Sequence, residues 1–348
     1  MSSDSNLDIR KNSLNSLKVI AALQVAYLHA LTHLKVDVPD VITQIFGLFM
    51  GVPIFFILSG FLIWNSIDKS SNFKIYAKKR VVRIFPELWL GVVIEIVLLI
   101  VFLREKINYL VLALFAFCQG TMLQFWTPDS LRDFGCGTPN GTLWTLGVTV
   151  QFYVIVWFIH KLLRQKNIYW WISSLVISVI IKAVSPLISS ALPGVVGKLY
   201  GQTILPYLWM FMLGIFIAQY KDSIIPFLKK TWWIFFALSL VVAYFKFDIG
   251  YESYGVVTYT LRVLGFIGLC YNLPNLNTPF DFSYGLFIYH MLVVNVMIEL
   301  GFIGRIYHLL IALLISVALA SLSTLFGGYV LKIANQKTKT EKNNGNKT

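Results

Sequence analysis

Long apolar runs recur along the whole chain, and each is long enough to cross a lipid bilayer. A helix needs about 20 mainly apolar residues to span the roughly 30 Å hydrocarbon core. Only 13% of the 348 residues are charged and 57% are hydrophobic, which excludes an ordinary soluble domain. The sequence therefore predicts an all-α, polytopic transmembrane helix bundle. Eleven runs are candidates: 14–33, 43–66, 85–103, 107–125, 143–163, 170–189, 204–220, 231–247, 255–273, 283–303 and 308–333.

Basic residues between these runs indicate which helix ends face the cytosol. The positive-inside rule places basic clusters on the cytosolic side, so neighbouring clusters are separated by an even number of crossings. Three runs separate Arg83 from Lys161, so one of them, 107–125, is predicted to be re-entrant or to lie against the outer face. About ten spanning helices remain, with both termini cytosolic. Five clusters hold 20 of the 29 lysine and arginine residues, within 10–18, 69–83, 161–166, 221–230 and 332–347.

The charge pattern also divides the chain into three parts. We predict a cytosolic N-terminal segment at 1–13, a membrane domain at 14–333 and a basic tail at 334–348, whose low-complexity composition is typical of disorder. The net charge of +13 belongs to the loops, so nucleic acid is not an expected partner, whereas the lipid bilayer is. The cysteines Cys118, Cys136 and Cys270 have no metal-ligand spacing. No metal site and no permanently bound cofactor are predicted.

The first apolar run carries one cation and one imidazole, Lys18 and His29, in SLKVIAALQVAYLHA. On a helix these two side chains point within roughly 20° of each other and lie about 16 Å apart along the axis. His29 falls in the outer half of the hydrocarbon core, where an imidazole is costly and can serve as a general base. The alternative is a histidine that only hydrogen-bonds a neighbouring helix.

The other four histidines are assigned structural positions from the sequence. His33 and His308 are predicted to be interfacial, and His160 is a cation near a helix C-terminus. His290 lies within an apolar run, and we interpret it as a residue that hydrogen-bonds between helices.

A basic segment, YAKKRVVRIFP at 76–86, precedes the helix that is predicted to begin near Pro86. Arg80 and Arg83 share one face if the segment is helical, and such a pair can bind phosphate. Membrane orientation alone would explain a basic loop, but six cations between Lys69 and Arg83 exceed that need. A cytosolic donor with a phosphorylated head and a long reactive arm, such as acyl-coenzyme A, fits a path from these arginines toward His29.

A transporter or flippase is the competing class of protein. Inverted repeats are not evident in the sequence, and the intramembrane acids Glu87, Glu95 and Glu299 do not form a proton relay. We expect each acid to pair with a cation such as Arg262, Lys182 or Arg305.

Five segments occur in an order that is similar to one known family: Lys18-x10-His29, GVPIFFILSGFLIW at 51–64, Arg80-x-x-Arg83 with IFP, NGTLWTLGVTVQFY at 140–153, and FSYGLFIYHMLVV at 282–294. The chain resembles the bacterial acyltransferase-3 family of integral membrane O-acyltransferases, in particular O-antigen acetylases without a fused periplasmic domain. Two residues depart from the family pattern. Thr149 stands where the family usually has Glu, and Lys18 lacks the planar fork of the Arg in many members.

The resemblance implies transfer of an acyl group, usually acetyl, from cytosolic acyl-coenzyme A to a hydroxyl of a surface polysaccharide such as O-antigen. Acetyl-coenzyme A is then a co-substrate, and the location is the bacterial inner membrane. His29 matches the catalytic histidine. Peptidoglycan, lipid or a secondary metabolite stays open as the acceptor. The donor-binding candidates are Lys18, Lys79, Arg80 and Arg83, and the acceptor-site candidates are Asn140, Trp144 and Gln151.

Overall fold

The computed structural model describes residues 12–68, 70–249, 255–276 and 281–345. Within these ranges the chain is helical and contains no β-strand, which confirms the predicted all-α class. The predicted N-terminal segment lies outside them except for its last two residues. The helices are α1 Leu14–His33, α2 Asp40–Gly47, α3 Gly51–Ile67, α4 Phe73–Leu103, α5 Tyr109–Gln119, α6 Trp144–Leu163, α7 Ile168–Ala191, α8 Gly194–Tyr200, α9 Leu208–Gln219, α10 Lys221–Phe245, α11 Val256–Asn272, α12 Ser283–Glu299 and α13 Ile306–Gly345.

Among the described residues, fewer helices than the predicted ten are long and apolar enough to span a membrane. Among the described residues, seven stretches qualify, or eight if α8 and α9, bent by 41°, count as one span. The remaining apolar helices are short, since α11 and α12 have 17 residues each and α5 has 11. A helix of 17 residues is about 25 Å long, close to the lower limit for crossing. The count of about ten is therefore not confirmed.

Helix α5 is the element that corresponds to the run predicted not to cross. Its 11 residues make a helix of about 17 Å, well short of the roughly 30 Å core. Asn108 caps its N-terminus by accepting hydrogen bonds from the amides of Leu110 and Val111. The backbone after Gln119 is non-helical up to a short 3-10 turn at Asp129–Leu131. This segment does not cross the membrane as a single helix.

Helix α4 begins thirteen residues before Pro86, so the prediction of a start near this proline is wrong. Asn72 is the N-cap, and its side chain accepts a hydrogen bond from the amide of Ile75 at 2.9 Å. The side chains of Tyr76 and Ile84 are buried at helical spacing, so tertiary packing holds this part of the helix. Pro86 lies inside α4, where it removes only one backbone hydrogen bond. The basic residues consequently stand on a helix and not in a loop.

Helix α13 extends beyond its apolar part. The stretch that could span a membrane ends at Ile333, whereas the helix continues to Gly345. Residues 346–348 lie outside the described ranges. The division of the chain at residue 333 stays a prediction.

The described chain forms two compact units. The first unit contains the residues up to Ala21, Leu48 to Asp68, and Gln151 to Leu276, and the second contains the others. In the first unit, α3 packs on α9 and α10 packs on α11. The α3–α9 contact depends on glycine, because a Cβ at Gly214 would overlap the carbonyl oxygen of Ile57.

In the second unit, α12 packs against both α4 and α13. Gly91 of α4 leaves room for the side chain of Ile288, and Gly285 lies against the backbone of Ala320 on α13, so a larger residue fits at neither contact. Helix α12 is thereby fixed on two sides. It carries His290, and the candidate site is built around it.

Candidate functional site

Two histidines from distant parts of the chain meet inside the second unit. The Nδ1 atom of His29, on α1, lies 3.0 Å from the Nε2 atom of His290, on α12. Their rings are stacked, with centroids 5.2 Å apart and an interplanar angle of 28°. His290 is only 1% exposed, whereas His29 is half-buried. The imidazole pair, defined as His29 and His290, therefore has one inner and one more accessible member.

The hydrogen bonds around the imidazole pair determine which nitrogen atoms carry protons. The Nδ1 atom of His290 lies 2.8 Å from the carbonyl oxygen of Leu286. Because a carbonyl oxygen can only accept, Nδ1 of neutral His290 carries the proton and its Nε2 atom accepts. The Nδ1 atom of His29 must then donate to His290, which leaves a lone pair on its own Nε2 atom. This is the protonation state that a general base needs.

The surroundings of His29 leave that lone pair available. Within the described part of the chain, no hydrogen bond is made by its Nε2 atom. The ring of His33, one turn further along α1, stands edge-on to it at 6.0 Å. His33 is half-buried at the end of α1. The arrangement can take a proton from a hydroxyl group placed beside His29.

A loop at 125–143 docks on the same α12 helix. The amide of Cys136 donates to Oδ1 of Asn295 at 2.9 Å, and Nδ2 of Asn295 donates to the carbonyls of Thr138 and Pro139 at 3.0 and 2.8 Å. Glu299 accepts a hydrogen bond from the amide of Gly135 at 2.7 Å. Asn295 is fully buried, so its three bonds are shielded from water. The loop is thus held along one turn of α12.

The predicted acceptor residue Asn140 lies in this loop, next to α12. Its Nδ2 atom donates to the carbonyl of Ile288 at 2.9 Å, and its Oδ1 atom accepts from the hydroxyl of Thr142 at 3.0 Å. The hydroxyl of Thr142 is also 3.3 Å from the carbonyl of Phe287. Asn140 therefore anchors the loop within three residues of His290, with both ends of its amide engaged.

The other acceptor candidates occupy different positions. Trp144 is the first residue of α6 and is half-buried. Gln151 belongs to the first unit, where its amide donates to the carbonyl of Gln202 and accepts from the amide of Ile204, both at 3.0 Å. Thr149, which replaces the usual Glu of the family, donates to the carbonyl of Thr145 in its own helix at 2.8 Å. Trp144 and Thr149 belong to the second unit together with Asn140, and Gln151 belongs to the first.

The predicted donor-binding residues are mostly on α4. Arg80 is half-buried, with its guanidinium 5.8 Å from the centre of the Tyr76 ring, whereas Lys79 and Arg83 are exposed. The Nζ atom of Lys79 lies 3.2 Å from the hydroxyl of Ser70. Arg80 shares the buried face of α4, and Arg83 lies beside that face. Lys18 is 8% exposed and belongs to the first unit.

The intramembrane acids do not form the ion pairs predicted for them, as far as the described residues show. Glu299 accepts from the loop, and Glu87 lies 3.4 Å from the hydroxyl of Ser323. Neither carboxyl oxygen of the fully buried Glu95 has a hydrogen-bond partner in the described ranges. The reason is that helix packing, and not charge, sets which side chains meet. In the same ranges no group of three potential metal ligands occurs.

Sequence reasoning missed three contributions to this site. His290 was interpreted as a residue that hydrogen-bonds between helices, but its partner His29 was not identified. Asn295 was not singled out, and neither was the hydrogen bond between Glu299 and the loop. His290 and His29 are separated by 261 positions. The only available signal was a polar residue in each of two apolar runs, which does not specify a pairing.

The fold and these residues define a multi-pass helical membrane protein with an intramembrane imidazole pair. The chain belongs to the acyltransferase-3 family, since a family model described as an acyltransferase domain matches residues 11–330. It is 28% identical over 341 residues to nodulation protein 10 of Rhizobium leguminosarum bv. viciae, covering 90% of this chain and 91% of the relative. It is 30% identical over 118 residues to the peptidoglycan O-acetyltransferase OatA of Listeria monocytogenes, covering 31% of this chain and 19% of that protein. No solved structure matches.

Proposed function

We propose that this membrane acyltransferase is an O-acetyltransferase that moves an acetyl group from cytosolic acetyl-coenzyme A to a hydroxyl of a surface polysaccharide. Family membership supports acyl transfer over the transporter or flippase alternative. The observation that carries the proposal is the imidazole pair, which leaves an unprotonated nitrogen on His29.

In the proposed reaction, Nε2 of His29 takes the proton of the acceptor hydroxyl. The resulting oxygen attacks the thioester carbonyl, and the carbon–sulfur bond breaks as the new ester bond forms. The coenzyme A thiolate leaves and receives the proton from His29, so the enzyme returns to its starting state. The Nε2 atom of His290 accepts the hydrogen bond from the Nδ1–H group of His29 throughout and so holds the ring in the required tautomer. The sequence contains no G-x-S-x-G motif, which favours direct transfer.

Binding of the acyl donor is assigned to the basic residues. We assign the phosphate groups of the coenzyme to Arg80, Arg83 and Lys79, with Lys18 as the basic residue of the first helix. An arginine on a packed helix face can bind phosphate with less loss of side-chain freedom than a fully exposed lysine. This assignment requires cytosolic termini and the bacterial inner membrane as the location.

The acceptor is proposed to be a glycan at the outer face. The name of the OatA relative makes a sugar hydroxyl the favoured chemistry and keeps peptidoglycan beside O-antigen or exopolysaccharide as an acceptor. Lipid or a small secondary metabolite would need the same general base. Asn140 is proposed to shape this site through the loop, with Trp144 at the start of α6 beside it in the chain.

The test is acetyl transfer in isolated membranes. Membranes that contain the protein are incubated with radiolabelled acetyl-coenzyme A and a polysaccharide acceptor, and the label on the acceptor is counted. We expect label with the wild-type protein and none above background with His29→Ala at equal membrane abundance. Transport of the glycan without labelling would instead support a flippase and contradict the proposal.

A further inference from the structure

An apolar groove runs between helices α4, α12 and α13 of the second unit. Its volume is about 400 Å³, within the range of about 300–1,000 Å³ that is typical of ligand pockets. The side chains that line it include Ile94 and Leu98 of α4, Val296 of α12, and Ile315 and Leu319 of α13. Ile315 is 43% exposed, so the groove opens on a face of the bundle that meets the hydrocarbon of the bilayer. We name it the α12 groove.

Polar contacts close the end of the α12 groove that is nearest to the start of α12. The hydroxyl of Tyr289, which lines this end, donates to the hydroxyl of Ser323 at 3.1 Å, and Ser323 donates to Glu87 at 3.4 Å. Helices α4 and α13 meet at this level, because a Cβ at Gly327 would overlap the carboxyl group of Glu87. A ligand therefore enters from the lipid side or from the other end.

The α12 groove is about as long as one leaflet of the bilayer is thick. The hydroxyl of Tyr284 donates to the carbonyl of Ile84 at 3.0 Å, so α12 starts beside the basic segment of α4 and runs away from it. The lining extends along α12 from Tyr289 to Leu300, which is about 16 Å of helix. Half of the roughly 30 Å hydrocarbon core is about 15 Å. One hydrocarbon chain of a lipid can thus lie along the groove.

Aromatic rings and one arginine form the end of the groove that is remote from the basic segment, and we call this end its mouth. The rings of Tyr307 and His308 stand edge-on with centroids 4.4 Å apart, and Nδ1 of His308 donates to the carbonyl of Ile303 at 2.9 Å. Nη1 of Arg305 donates to the hydroxyl of Tyr307 at 2.9 Å, and the guanidinium lies 5.7 Å from the centre of the same ring. The mouth therefore carries a cation that an aromatic side chain holds in place.

Arg305 stands at the mouth without an acidic partner. Among the described residues it forms no ion pair with a carboxylate, although the sequence predicted such a pair. The hydroxyl of Tyr307 accepts from Arg305 and keeps its own proton for donation. Both side chains can thus donate to one ligand, and a phosphate accepts several such hydrogen bonds at once. An apolar groove with these donors at its mouth matches a lipid phosphate.

The mouth adjoins the C-terminal end of helix α1, which carries His29. The amide of Gly304 donates to the carbonyl of Leu34 at 2.7 Å, so the loop before α13 is bonded directly to the end of α1. His29 precedes Leu34 by about 8 Å along the helix axis. Val293 of α12 lines the groove and also packs in the cluster that contains Ala30 of α1. A head group at the mouth therefore lies beside the helix end nearest to His29, while the chain stays outside the imidazole pair.

We propose that the α12 groove binds the hydrocarbon chain of a lipid phosphate that carries the acceptor glycan, and that Arg305 and Tyr307 bind its phosphate. This inference rests on the proposed O-acetyltransferase function, in which the mouth lies at the outer face, and it specifies a lipid-linked acceptor. A sugar joined to that phosphate starts beside the end of α1 and extends toward His29. An ordinary phospholipid presents no glycan there and is the competing occupant in the test.

The first measurement is the binding of tritiated farnesyl phosphate to the purified full-length protein in phosphatidylcholine nanodiscs. Ile315→Trp fills the groove and should raise the Kd about tenfold, the loss expected when about two methylene groups are no longer buried. Leu314→Trp is the matched control, since Leu314 is 71% exposed on α13 and does not line the groove. Arg305→Gln should also raise the Kd about tenfold. Lys198→Gln, which removes an exposed charge from the first unit, should leave the Kd unchanged.

Competition identifies the occupant of the groove. Unlabelled farnesyl phosphate should displace the label, and phosphatidylglycerol should displace far less at the same concentration, since a groove for one chain excludes the second chain of a phospholipid. Equal displacement by both lipids would show that an ordinary phospholipid fills the groove and would overturn the proposal. Binding that does not saturate, or equal losses in the variants and their controls, would overturn it as well. If Ile315→Trp is not recovered, Ile315→Phe serves in the same assay.

The second measurement separates this inference from the proposed function. Membranes of the bacterium that makes the protein are incubated with radiolabelled acetyl-coenzyme A and extracted with butanol, and the label in His29→Ala membranes is subtracted. The label should enter the butanol phase and should move to water after mild acid, which cleaves a sugar from a lipid phosphate. Label in water-soluble polysaccharide alone would overturn the lipid-linked acceptor and leave the proposed function intact. No label in either phase, together with saturable binding of farnesyl phosphate, would overturn the proposed function and leave a lipid-phosphate site.

Discussion

His290 accepts a hydrogen bond from Nδ1 of His29 across 3.0 Å, and the carbonyl of Leu286 fixes the direction of this bond. The relationship resembles the one between a catalytic histidine and the group that orients it, except that the orienting group here is a neutral imidazole. Its consequence is a defined tautomer of His29.

His29→Ala should abolish acetyl transfer, by at least about 100-fold, because a general base typically contributes that much to the rate. The measurement is label transfer per unit of membrane-inserted protein. His33→Ala is the matched control, since His33 lies one turn away on α1 and makes only a ring contact with His29. Comparable losses in both variants would argue against a specific role for His29.

His290→Ala should lower kcat by about 100-fold while leaving the KM for acetyl-coenzyme A unchanged, since the ring of His29 loses the partner that sets its tautomer. His290→Gln can still present an oxygen to Nδ1 of His29 and should recover part of the rate. Steady-state kinetics of the three proteins in detergent or vesicles tests this. Equal activity of His290→Ala and the wild type would show that the bond is only structural.

Arg80→Gln and Arg83→Gln should each weaken acetyl-coenzyme A binding about tenfold, the loss expected for one charge-assisted hydrogen bond to phosphate. Titration of the purified variants with the coenzyme measures it. Lys74→Gln is the control, because Lys74 is exposed on another face of α4 and its replacement removes the same charge from the same basic cluster. If all three variants bind equally well, the cluster serves membrane orientation only.

Asn295→Ala should loosen the loop, because one buried amide supplies all three hydrogen bonds to residues 136–139. We expect a loss of about 1–3 kcal/mol of stability and faster amide hydrogen exchange in the loop. Asn295→Asp should also destabilise the protein although the two side chains are nearly equal in size, since it places a second oxygen against the carbonyls of Thr138 and Pro139. Unchanged exchange in the loop would contradict this account.

Gly214→Ala should destabilise the first unit by about 1–3 kcal/mol, as overpacking does, because the new methyl group meets the Ile57 carbonyl. The thermal midpoint in detergent measures this. Gly328→Ala is the control, since nothing lies within 4 Å of a Cβ at Gly328 on α13. A lower midpoint for Gly328→Ala than for Gly214→Ala would refute the assigned packing.

Much of the architecture follows from local features of the sequence. Each apolar run contains a helix, and the run 43–66 is divided between α2 and α3, because the backbone must satisfy its own hydrogen bonds in lipid. The run at 107–125 was predicted not to cross the membrane from the charge pattern alone, and in the structure it contains a helix of only 11 residues. The start of α4 was predicted thirteen residues too late, near Pro86, because the sequence analysis did not identify Asn72 as the capping residue.

Some residues of the candidate site could likewise be identified from the sequence, and others only from the structure. His29 stands out because titratable groups are rare in apolar sequence, and Arg80 and Arg83 stand out because they share a helix face within a basic segment. Three other features cannot be recognised in the sequence: the pairing of His29 with His290, the hydrogen bonds by which Asn295 holds the loop, and the unpaired carboxyl oxygens of Glu95. Each depends on contacts between residues far apart in the chain.

The sequence by itself determined that the chain is a helical membrane protein and which family it resembles, since hydrophobicity and short motifs are local properties. Only the tertiary structure decided that His290 faces His29 and that a loop closes over α12. The reason is physical. The faces on which two apolar helices meet depend on small residues such as Gly91 and on packing along the whole length of both helices, and hydropathy alone does not specify these contacts.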